Sequence, residues 1–193
     1  MLFRAPAPNS FATLSAHGAV FFNVPDGADE VFFLEDIAHQ CAHVMFNALT
    51  LDKRRFLAVD PAMPLAAITG DPAEPRKLYS AFHALYTYTL ICRLLATLCQ
   101  RPVFAGRQAH ELLGRLGYTL SKFGWDLALL GKPDLYTARG HLCYRRFATQ
   151  YRHHLARWGP LVGRLDFANQ PYNFSYERFA ESNPPAMALL QTA

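Results

Sequence analysis

A chain of 193 residues, 51% hydrophobic and 18% charged, holds enough apolar material for one compact core and fits one domain better than two. Its formal charge of +4 is dispersed, with Lys53-Arg54-Arg55 and Arg145-Arg146 the only tight clusters. With no dense basic face and no nucleic-acid motif, the chain is expected to bind no nucleic acid, and its mild basicity suits an acidic peptide or a phosphorylated ligand. Cys41, Cys92, Cys99 and Cys143 sit among apolar neighbours without a C-x-x-C pair, as reduced core residues of a cytoplasmic protein would. Pro6, Pro8 and Asn9 interrupt any signal-peptide run, and the long apolar stretch from Tyr79 to Cys99 carries His83, Arg93 and several hydroxyls that would be costly in lipid. No membrane span is expected.

Residues 1–27 are rich in Pro, Gly, Ala and Ser and read as a loose arm or edge element, with one β-like run at Ala19 to Asn23. Asp29 or Asp26 is placed to cap a helix over about 29–49, whose acidic start, Asp29, Glu30, Glu35 and Asp36, suits its positive end. Pro61, Pro64, Pro72, Pro75 and Gly70 mark a long irregular connection. A second helix reads over about 76–100, with Leu78, Phe82, Leu85, Tyr86, Leu90, Leu94 and Leu95 at helical spacing. A third fits 105–130, its inward stripe running Leu112, Leu113, Leu116, Leu120, Phe123, Leu127, with Gly114, Gly117 and Gly124 weakening its continuity. Asp134 caps a fourth that turns Leu135, Leu142, Phe147, Tyr151 and Leu155 inward and stops at Gly159-Pro160. The fold class is thus mainly α: a single-domain helical bundle, 1–193, with its helical core at 29–160 and an extended, aromatic-rich tail at 161–193.

The chemistry-bearing feature is His39-Gln40-Cys41-Ala42-His43. Two imidazoles at i and i+4 stand on one helix face within reach of one metal ion. Glu35 extends the stripe one turn back, as a ligand or as a carboxylate bonded to a ligating ring, while Asp36 lies off it as a cap or surface charge. A third ligand must come from elsewhere, and His83 on the second helix competes with Glu35 for that place. In a chain with eight histidines such spacing also arises by chance, and His110, His141, His153 and His154 read as solvated surface. Gln40 occupies the position where a His-Glu-x-x-His zinc peptidase keeps its general base, and an amide cannot take the proton of a metal-bound water. Oxygen activation at iron needs no such base, only a facial ligand set with open positions.

At His39-Gln-Cys-Ala-His43, the proline-rich connection, and Pro75-Arg76-Lys77-Leu78 followed by His83, the chain resembles the 2-oxoglutarate-dependent HExxH-type peptide β-hydroxylases of ribosomal-peptide (RiPP) biosynthesis, over roughly residues 30–100. The resemblance implies a mononuclear Fe(II) enzyme that consumes O2 and 2-oxoglutarate to hydroxylate a side-chain β-carbon of a precursor peptide. It carries His39, His43 and His83 over as ligands, with Gln40 departing from the motif. The far carboxylate of 2-oxoglutarate needs a cationic or hydroxyl partner, for which Arg76 ranks first, then Arg93 and Tyr79, with Tyr86 a further hydroxyl. A non-catalytic peptide-binding accessory protein is the second expectation and a zinc hydrolase the third.

Overall fold

In a computed structural model of the chain, residues 1–6 and 9–184 are described. Parts of the expected arm (7–8) and tail (185–193) lie outside them. The architecture is mainly α: Glu30–Leu49 (α1), Ala66–Thr69 (α2), Leu78–Cys99 (α3), Gly106–Leu129 (α4), Ala138–Val162 (α5) and Tyr176–Ser182 (α6). Helix α1 starts where the acidic cap placed it. Asp29 Oδ1 accepts from the amides of Val31 at 3.0 Å and Phe32 at 3.3 Å, satisfying donors that a helix start leaves free.

The arm is more ordered than its composition suggested. Leu2–Phe3 (β1) and Phe11–Ala12 (β2) flank Val20–Asn23 (β3) in a small sheet of order β1-β3-β2, parallel on one side and antiparallel on the other. Phe11 stacks on Phe21 with ring centroids 4.7 Å apart, and Asn23 exchanges hydrogen bonds with the backbone of Ala5. The proline-rich connection is pinned rather than loose: Leu65, fully buried, donates its amide to the Arg76 carbonyl, and Leu78 donates to Met63. That stitching sets where Arg76 sits, just ahead of α3.

Helix α3 is the hub, packed by α1, α4 and α5. Among the described residues it is the one helix long and apolar enough to cross a membrane by composition, with a mean hydropathy of 1.2. The inward stripe expected for α4 is buried in full. Its glycines do not break it; they are notches. A Cβ on Gly114 would lie 2.6 Å from the Phe179 ring, one on Gly117 2.6 Å from Phe167, and one on Gly124 2.5 Å from the Tyr151 hydroxyl. The tail's aromatics therefore reach the α4 backbone itself.

Helix α5 differs from expectation at three points. Thr137, not Asp134, caps it, accepting from the Gly140 amide. It runs through Gly159-Pro160 to Val162, because a proline in the last turn forfeits little while Leu161 and Val162 still pack on the core. Leu142 and Leu155 point outward, and Phe147, Tyr151, His154 and Trp158 form the inner face. Two histidines expected at the surface are buried: His154, and His110, whose ring lies 4.8 Å from Phe179 and 3.3 Å from the Tyr176 hydroxyl. All four cysteines are free, and Cys41 is exposed rather than in the core.

The glycine notches give a stability test. Gly114→Val drives a branched side chain into the fully buried Phe179 and is expected to cost about 1–3 kcal/mol of unfolding free energy in urea titration. An unchanged or raised midpoint would mean the tail does not seat on α4 as described.

Candidate functional site

Helices α1, α3 and α4 turn polar stripes toward one another instead of closing a third apolar seam. From α1 come Glu35, Asp36, His39, Gln40 and His43; from α3, Ser80, Thr87 and Tyr88, with Arg76 from the connection just before it; from α4, Arg107, Glu111, Arg115, Thr119 and Lys122. Between them lies a cavity of about 1020 Å³, roofed by residues of the arm and by Tyr172 to Glu177 of the tail. That volume is at the upper end for small-ligand sites.

The histidines proposed from spacing and from α3 come together, His39 and His43 on the cavity wall and His83 against His43. His43 Nδ1 lies 3.0 Å from His83 Nε2, and the ring centroids are 4.6 Å apart. His39 lies alongside, its ring centroid 4.7 Å from that of His43, while its Nδ1 stands 4.0 Å from an Asp36 oxygen. His83 is buried behind His43. Burial dominates the protonation of all three, since a charged ring loses its hydration there. It holds His83 down to about 3, helped by the neighbouring histidines and Lys53, and His43 down to about 4. His39 is lowered too, burial and Lys122 outweighing Asp36. At neutral pH the wall thus presents neutral imidazoles, the form that binds metal.

Two imidazole nitrogens bound in adjacent positions at about 2.1 Å from one ion stand roughly 3 Å apart, so the His43–His83 spacing suits a pair of ligands. Among the described residues, no group of three or more His, Cys, Asp or Glu side chains is set to hold a metal ion as it stands. The ring of His39 is near but aimed at Asp36.

The carboxylates are otherwise engaged. Glu35 forms an ion pair with the Arg115 guanidinium, which also binds Glu111 at 2.7 Å, tying α1 to α4. That leaves Glu35 committed to Arg115. Asp36 is buried, contrary to the surface charge expected, and accepts from Gln40 Nε2 at 3.0 Å. Its Oδ2 and Gln40 Oε1 are buried without a partner among the described residues. Gln40 is thus a structural amide beneath the histidines.

The expected carboxylate partners fare unevenly. Arg76 reaches the cavity, but four of its five donors are taken: Nη1 bonds both oxygens of Asp126 at 2.9 and 2.8 Å, while Nε and Nη2 bond Glu74. The Glu74 bond and the Asp126 charge hold it firmly cationic. Arg93 is exposed and does not line the cavity, because its place on α3 faces away. Tyr79 also lies outside the cavity lining, its hydroxyl 2.6 Å from the Thr50 hydroxyl and its ring under Lys53; Tyr86 stacks on Phe46. The cation missed in the sequence is Lys122, half-buried at the cavity wall with its ammonium over the Tyr172 ring at 4.1 Å. Its position at i+3 from Thr119 and i+7 from Arg115, on a polar stripe opposite the leucines, was the available signal.

Comparisons with protein-family models, curated proteins and solved structures return no match to this chain.

The lowered histidines make stability depend on pH. The unfolded rings titrate near 6.5, and the folded ones far lower, so the unfolded chain gains protons first as pH falls. Stability is complete above about pH 6.5 and declines below it. In chelator-treated protein, the urea-unfolding free energy is expected to fall between pH 7 and pH 5, with a shallower fall in His83→Leu. An identical slope in that variant would show that His83 is not buried neutral.

Proposed function

We propose that this protein is a mononuclear Fe(II)- and 2-oxoglutarate-dependent oxygenase that hydroxylates a side-chain β-carbon of a ribosomally made precursor peptide. The observation that carries the reading is the grouping of three histidines from two helices at a polar cavity of about 1020 Å³, His39 and His43 on its wall and His83 packed directly behind His43. In this reading the three imidazoles hold the iron, which requires His39 to turn from Asp36 toward its neighbours. Glu35, already paired with Arg115, leaves the third place to His83. Bound iron, with O2 and 2-oxoglutarate, supplies the oxidising chemistry that no side chain can provide.

The chain's own residues orient and exclude. Burial keeps the rings unprotonated and ready to ligate. Gln40, locked to Asp36, braces α1 under the site and offers no carboxylate to deprotonate a water, which speaks against hydrolysis. Residues of the arm, chiefly in its loops, and the Tyr172 to Glu177 segment roof the cavity and limit water, and the space they leave accommodates a peptide side chain beside a small acid.

One observation favours a second reading. His43 and His83 already satisfy each other by a direct hydrogen bond, as they would in a peptide-binding protein whose histidines serve only structure.

Anaerobic Fe(II) titration separates the two. Stoichiometric binding is expected in the wild-type chain and its loss in His43→Ala and His83→Ala; no binding in the wild type, or full binding in both variants, would overturn the iron reading.

A further inference from the structure

Each arginine that lines the cavity has an acid beside it. Arg4 pairs with Asp26, Arg76 with Glu74 and Asp126, Arg107 faces Glu111 at 3.9 Å, and Arg115 holds Glu35 and Glu111. Lys122 is the exception: among the described residues its ammonium meets no carboxylate, and its hydrogen bond goes to the Tyr172 carbonyl at 3.1 Å. An ammonium has three donors, so two remain for another partner. The faces of Tyr172 and Tyr118, 4.1 and 5.3 Å from the nitrogen, hold it in place without neutralising it. One turn back on the same face stands Thr119, which lines the cavity and whose hydroxyl has no hydrogen-bond partner among the described residues. Lys122 lines the same cavity as His39 and His43.

We propose that Lys122, with Thr119 beside it, is the carboxylate-binding subsite of this cavity, anchoring one end of an acidic ligand whose other end reaches the wall at His39 and His43. The subsite replaces Arg76, whose guanidinium gives four of its five N–H donors to Glu74 and Asp126 and serves to clamp the start of α3 to the end of α4. A single ammonium with a hydroxyl neighbour favours a carboxylate over a phosphate, which calls for more donors than this corner offers. The identity of the far end rests on the oxygenase reading; the carboxylate subsite itself does not need the iron. The carboxylate has two sources, a small dicarboxylic or oxo acid, or an acidic side chain of a bound peptide.

The test is calorimetric titration of metal-free, full-length protein with glutarate, 2-oxoglutarate and the blocked peptide Gly-Gly-Glu-Ala-Gly-Gly, alongside its glutamine counterpart. Wild type, Lys122→Met and Lys122→Arg are compared. Saturable binding of an acid or of the glutamate peptide is expected, weakened about tenfold or more in Lys122→Met, the size of one charge-assisted hydrogen bond, and largely kept in Lys122→Arg. Which probe binds identifies the source. No saturable binding of any probe to the wild type, or equal binding to Lys122→Met, would overturn the assignment. Because no iron is present, failure here is distinct from failure of the iron titration.

Discussion

The site depends on one side chain, Phe46. Its ring stands 4.8 Å from Tyr86, 5.0 Å from His83, 5.6 Å from Phe82 and 6.3 Å from Phe147, so it joins α1 to α3 and α5 at once. A large aromatic seated among four rings has few alternative positions, and its burial fixes how α1 lies along α3. His43 precedes Phe46 by three residues and so shares its face; the packing that places Phe46 on Phe82 also places His43 on His83. A one-turn slip of α1 would separate the histidines and empty the aromatic cluster together.

Toward the N-terminal half of α1 the same helix pair opens, and electrostatics takes over from packing. Polar stripes on α1, α3 and α4 cannot close dry, because buried charges without partners are costly. The structure resolves this by pairing: Arg115 with Glu35 and Glu111, Arg76 with Glu74 and Asp126. Those pairs prop the helices apart and consume the residues that look most reactive in the sequence. Outside those ion pairs stand the histidines, the Lys122 ammonium, and the Asp36 Oδ2 and Gln40 Oε1 atoms left over by the Asp36–Gln40 hydrogen bond. The cavity is thus shaped by charges already satisfied, and its chemistry is left to those that are not.

Much of this was legible from residue pattern. The Asp29 cap, the i, i+4 histidines and the leucine stripe of α4 are local signals, and local signals fixed α1, α3 and α4 to within a few residues. His83 joined the pair because antiparallel packing of adjacent helices is a short-range inference. Long-range pairing was not legible. Nothing in the neighbourhood of Glu35 announces Arg115, eighty positions away, nor does Arg76 announce Asp126. The glycines of α4 read as weak points because the rings that fill them, Phe179, Phe167 and Tyr151, come from elsewhere in the chain. His110 and Lys122 follow the same logic: each looks like surface until Phe179 and Tyr172 of the tail cover it.

The most direct test is anomalous diffraction at the iron edge from crystals of the protein soaked with Fe(II) under anaerobic conditions. The account requires an iron peak bonded to Nδ1 of His43 and Nε2 of His83, with the His39 ring turned from Asp36 to join them. A map in which those two nitrogens remain hydrogen-bonded to each other with no metal between them, or in which iron sits elsewhere, would contradict it.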